Sequence, residues 1–159
     1  MAGGRPVSPG VSIIIEPAPD RIMRLFSELV TGGCKGLYMT RRLPGEVNVR
    51  PERGSAKYVW LPSREAQCGA EDAFALGSTI EKFLEESVGG VVAVDGVDCL
   101  DSASGGKPFA EMFGAVSRKA LNQRAYVLVQ IPGGALSEER REKLARAAGL
   151  PILAEDATC

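Results

Sequence analysis

The stretch Gly89-Gly90-Val91-Val92-Ala93-Val94-Asp95-Gly96-Val97-Asp98 ends an uninterrupted apolar run on a carboxylate. Such a run predicts a strand buried on both faces that delivers Asp95 at its C-terminal edge, where ligands sit in open α/β sheets. Asp95, Asp98 and Asp101 follow at spacings of three. On a helical turn they would share one face, and their oxygens suit a hard cation. Magnesium usually shares its shell with substrate phosphates, so this chemistry also needs a phosphate cradle. The competing roles are plainer: solvated or turn-capping carboxylates, or an Asp95 buried at the sheet edge as an acceptor of backbone hydrogen bonds. Ser102-Ala103-Ser104-Gly105-Gly106-Lys107 adds a Gly-rich loop and a lysine at a helix start, either an anion pocket or a simple connector.

A phosphate cradle is missing where it would be expected. After the first strand a phosphate loop needs glycines, free N–H groups, a lysine and a hydroxyl residue. The chain has Glu16-Pro17-Ala18-Pro19-Asp20-Arg21 there. Two prolines remove two donors, and Glu16 and Asp20 put negative charge where phosphates would lie. With no histidine among 159 residues, imidazole bases, histidine metal ligands and ordinary serine or cysteine protease triads are excluded. Cys34, Cys68, Cys99 and Cys159 show no paired spacing, so neither a zinc site nor a disulfide framework is expected. No cofactor and no metal are expected. Arg41, Arg42, Arg50, Arg53, Lys57 and Arg64 gather positive charge around one long connection. This is either a solvated loop or a docking surface, for which Arg41, Arg42, Arg50 and Arg53 are the candidates. Few aromatics interleave with these charges, which argues against nucleic-acid stacking.

The elements that must position these residues follow from periodicity. Val11–Ile15 reads as a strand, and Ile22, Leu25, Phe26, Leu29 and Val30 mark one face of a helix opened by Asp20 and stopped by Gly32-Gly33. Strands are predicted at 37–40 and 57–61. A helix over about 71–87 is expected to bury Phe74, Ile80, Phe83 and Leu84. After the Asp95 strand, Pro108 suits the first turn of a helix with Phe109, Met112, Phe113, Val116 and Leu121 inward. Tyr126–Ile131 is a buried strand, Ser137–Gly149 a charged helix, and Pro151–Ala154 a terminal edge strand. Alternating strands and helices predict a three-layer αβα sandwich with a mostly parallel sheet. The organisation expected is a flexible arm over 1–10, one α/β domain over 11–154 and a flexible tail over 155–159. The apolar (45%) and charged (25%) fractions are those of a globular chain, and the net charge of -1 gives no global attraction to nucleic acid or anionic membranes. No membrane-length run or secretory core is present, which predicts a cytoplasmic location.

Two resemblances rest on these residues. The succession of strand, helix ending in glycines, Gly36-Leu37-Tyr38-Met39-Thr40-Arg41, a later strand with terminal Asp95, a helix and one more apolar strand resembles the core of RecA-like nucleotide hydrolases. It implies a RecA-like or Rossmann-like core, degenerate in lacking the phosphate loop, with Asp95 where that superfamily carries its magnesium-associated aspartate. The blocks Gly36–Pro44, Val59–Ser63, Val91–Leu100 and the strand through Ile131-Pro132-Gly133-Gly134-Ala135-Leu136 resemble an archaeal family known as domain of unknown function number eight-three-five. That resemblance implies a fold and a setting beside sensory and signalling modules, and no reaction. The expectation is a non-catalytic protein-interaction or signalling scaffold with a protein partner and possible homodimerisation. The alternative is a nucleotide- or phosphometabolite-binding protein using Asp95 and Asp98 with Lys107 or the Arg41-Arg42 pair.

Overall fold

In the computed structural model, residues 9–40, 56–60, 70–95, 106–131 and 152–153 are described. The elements run β1 (Gly10–Ile15), α1 (Asp20–Thr31), β2 (Gly36–Thr40), β3 (Ala56–Trp60), α2 (Ala70–Glu86), β4 (Val91–Val94), α3 (Gly106–Asn122), β5 (Tyr126–Ile131) and β6 (Ile152–Leu153). The six strands form one sheet in the order β3-β2-β4-β5-β1-β6, and every pairing is parallel. Parallel pairing requires crossovers, which place helices on both faces. The strands should therefore be apolar throughout. All residues of β1, β2, β4 and β5 are buried. Each fully buried Ile or Val contributes about 1.5–3 kcal/mol relative to exposure.

Alternation along each strand divides the core in two. On one face α1 packs Ile22, Leu25, Phe26, Leu29 and Val30 against Ile14, Tyr38, Val91, Ala93 and Leu128. Phe26 meets Tyr38 edge-on, with ring centroids 5.1 Å apart. Gly36 permits this close approach, since a Cβ there would stand 2.6 Å from Phe26 Cζ and 2.8 Å from Val30 Cγ2. On the other face α2 and α3 cover Ile13, Met39, Val92, Val94, Val127 and Val129. Helix α1 ends as expected, with Gly33 at φ 114° in the left-handed region that glycine favours.

Two inward assignments need correction. Phe74 is 76% exposed and Leu121 56% exposed. The inner stripe of α2 is Ala73, Leu76, Ile80 and Leu84. Phe74, one residue from Ala73, is turned about 100° away from the sheet. The phase is set where α2 meets α3: Gly77 lies against Met112 so tightly that a Cβ would come within 2.6 Å of Met112 Cγ. In α3 the sheet-facing stripe runs Phe109, Phe113, Val116 and Ala120, which leaves Leu121 on the flank beside Gly10. Gly10, the last residue of the predicted arm over 1–10, is buried as the first residue of β1; the arm up to residue 8, the predicted Ser137–Gly149 helix and the predicted tail over 155–159 lie outside the described residues. No helix among the described residues is long and apolar enough to cross a membrane.

Candidate functional site

Parallel register carries polar side chains to one end of the sheet. Met39 pairs with Val94 and Val94 with Val129, so Thr40, Asp95 and Gln130 stand at one level across β2, β4 and β5. Asp95 continues the alternation of Val91 and Ala93 and so shares the α1 face with Tyr38 and Thr40. It is 1% exposed. Its Oδ2 accepts hydrogen bonds from the Tyr38 hydroxyl at 3.0 Å and from Thr40 Oγ1 at 2.9 Å, and its backbone N–H donates to Met39 O at 3.1 Å. Asp95 is buried at the sheet edge, as one of the roles considered for it requires. Two of its partners are side-chain hydroxyls of β2, so this carboxylate cross-links two neighbouring strands.

Glu16 completes the edge. It lies just past β1, is 6% exposed, and its own N–H donates to Ile131 O at 3.1 Å. Gln130 Nε2 donates to the Glu16 carbonyl at 2.8 Å. The Glu16 side chain turns back onto the start of α1. Arg21 N–H donates to its Oε1 at 2.9 Å and Ile22 N–H to its Oε2 at 3.0 Å. The first N–H groups of a helix have no intrahelical partner and form its natural anion site. Here Asp20 N–H donates to Ala18 O and Met23 N–H to Pro19 O. The three leading N–H groups, Asp20 to Ile22, are thus engaged from within the chain, two of them by a carboxylate standing where a phosphate would bind, and Met23 makes the first bond of the helix proper. Burial raises the Glu16 pKa above the ordinary glutamate value; the Arg21 and Ile22 N–H groups oppose this, Asp20 adds to it, and the Arg21 charge subtracts.

Lys107 is exposed in the first turn of α3, on the helix layer opposite the Asp95 face. Asp98 and the basic candidates Arg41, Arg42, Arg50 and Arg53 lie outside the described residues. Among the described residues no group of three or more Cys, Asp or Glu side chains is arranged to hold a metal ion. Sequence reasoning noted the negative charge of Glu16 but missed that it caps α1, and missed Tyr38, Thr40 and Gln130. The available signal was Tyr38-x-Thr40, two hydroxyl residues on one face at a strand's C-terminal end.

A fully parallel sheet with α1 on one face, α2 and α3 on the other, and polar groups gathered at the C-terminal edge is a RecA-like α/β architecture. Among solved structures the chain is similar to the flagellar accessory protein FlaH from Methanocaldococcus jannaschii, with a TM-score of 0.56 over 93% of this chain and 72% of that one, at 12% identity. At that identity the likeness is one of fold. The chain belongs to the family described as "Protein of unknown function (DUF835)", whose model matches residues 15–147. No curated protein matches it.

Proposed function

We propose that the chain is a non-catalytic protein-interaction module, a RecA-like scaffold that works by binding a protein partner. The observation that carries this reading is the engagement of the three leading N–H groups of α1 from within the chain, two of them by Glu16. An entering phosphate would have to displace a carboxylate held by two backbone donors, in a turn already short of N–H groups at Pro17 and Pro19. The buried Asp95 serves the same scaffold by tying β4 to β2. The family resemblance supports placing the module in the cytoplasm of an archaeon, in signalling assemblies.

The second reading, a nucleotide- or phosphometabolite-binding protein, is favoured by the position of Asp95 at the sheet's C-terminal edge. A thermal-shift titration with ATP, GTP, cyclic nucleotides and dinucleotides, each with and without magnesium, separates the two. The module reading expects an unchanged melting temperature. A ligand at about a hundred times its dissociation constant stabilises by about 2.7 kcal/mol, enough to raise the melt by several degrees. Such a rise, with its magnesium dependence lost in Asp95→Asn, would overturn the module reading.

A further inference from the structure

The outer surface between α2 and α3 carries an open groove of about 380 Å³. We infer that this groove, lined by Phe74 and Met112 and flanked by Glu81 and Glu111, is the docking site for an amphipathic helix of a partner protein with an apolar stripe bordered by Lys or Arg. The inference rests on the reading of the chain as an interaction module and names its surface. Phe74 stands at the groove with three quarters of its surface in solvent, so a partner that covered it would bury a large aromatic side chain. Met112 is half-buried in the floor, and its flexible thioether can re-pack around an incoming side chain. Gly77 keeps the two helices close and the floor shallow.

Charge selects the occupant. Among the described residues that line it, the titratable side chains are Glu81 and Glu111; Lys119, bonded to Glu85, stands within electrostatic reach of Glu81 but does not line the groove. Both helices are crossovers in an all-parallel sheet, so they run in the same direction. Lys119 bonds Glu85, and Met112 meets Gly77, which fixes their register. Glu111 therefore lies beside Gly77 on one wall. Glu81 lies one turn further on the opposite wall, an axial offset of about 6 Å. A matching helix carries basic residues on opposite flanks of its apolar stripe, one turn apart. A second copy fits poorly, because a twofold contact of this groove with itself would bring carboxylates together.

The test is selection of a displayed library of random 18-residue peptides on the full chain, counter-selected on Phe74→Ser/Glu81→Gln/Glu111→Gln. All three side chains are at least partly exposed, so the variant is expected to keep the wild-type melt. The expected result is enrichment of peptides with an apolar i, i+3, i+4 stripe flanked by Lys or Arg. A synthetic copy of an enriched peptide should bind the variant at least tenfold more weakly by fluorescence anisotropy, and should bind wild type more weakly as salt rises. Enriched peptides without basic flanks, equal binding to the variant, or no enrichment would overturn the assignment. So would a chain that sediments as a dimer split by Phe74→Ser, which would make a second copy the occupant. Each of these outcomes leaves the nucleotide titration above to judge the module reading on its own.

Discussion

Removing the Glu16 carboxylate should destabilise the fold by an amount the hydrogen bonds allow one to work out. Glu16→Ala takes the acceptor from Arg21 N–H and Ile22 N–H, and Ile22 is fully buried. A buried donor left without a partner costs about 1–3 kcal/mol, and lost side-chain caps typically cost about 0.5–2 kcal/mol. Relief of burying a charged group offsets part of this, as the raised pKa shows. The expected net loss is about 2 kcal/mol, or about 4–8 °C in Tm for a chain of this size. Glu16→Gln keeps one carbonyl oxygen and carries no charge, so it should lose less than half as much.

The sign of the pH dependence follows from the same site. The folded Glu16 pKa lies above its ordinary value, so the folded chain holds this proton more tightly than the unfolded chain. The contribution is complete below the unfolded pKa of about 4.3 and is lost as pH rises through the folded value. The stability advantage of wild type over Glu16→Gln should therefore shrink as pH rises from about 4 toward neutral. Urea unfolding of the three proteins across that range measures it. A Glu16→Ala loss below about 0.5 kcal/mol or a Gln variant worse than Ala would refute the capping argument, and an advantage that grows with pH would refute burial as the dominant influence on Glu16.

Three further outcomes are expected. Asp95→Ala should cost about 2–4 kcal/mol in urea unfolding, because it leaves the buried Tyr38 and Thr40 hydroxyls without this acceptor, whereas Tyr38→Phe should cost about 1 kcal/mol. Gly36→Ala should cost about 1–3 kcal/mol by driving a methyl group into Phe26 and Val30, with a loss of near-ultraviolet circular dichroism around Tyr38. Phe74→Ser should change stability by less than about 0.5 kcal/mol, since its ring is mostly in solvent.

The architecture was legible because parallel strands are apolar on both faces: Val11–Ile15, Val91–Val94 and Tyr126–Ile131 can scarcely be anything else. Within the predicted edge strand over 151–154, the described residues form β6 (Ile152–Leu153). Helix phase was less legible. The α2 stripe begins on Ala73, too small to mark a face by itself, and the adjacent Phe74 drew the assignment one position off. The site resisted for a different reason. Tyr38 and Thr40 meet Asp95 only because β2 lies beside β4 in a definite register, information held in the sheet rather than in local pattern. Glu16 acts on Arg21 and Ile22 across a turn containing two prolines, a spacing unlike the usual cap adjacent to the first helical residue.

The position of β1 has a consequence for how the polypeptide can be made. Its two neighbours, β5 and β6, are encoded more than a hundred residues downstream. A nascent chain therefore emerges with Ile13, Ile14 and Ile15 bare, and at about 5–20 residues per second they stay so for many seconds until Tyr126–Ile131 has been synthesised. A fragment stopping short of β5 leaves β1 without either neighbouring strand and should be recovered insoluble.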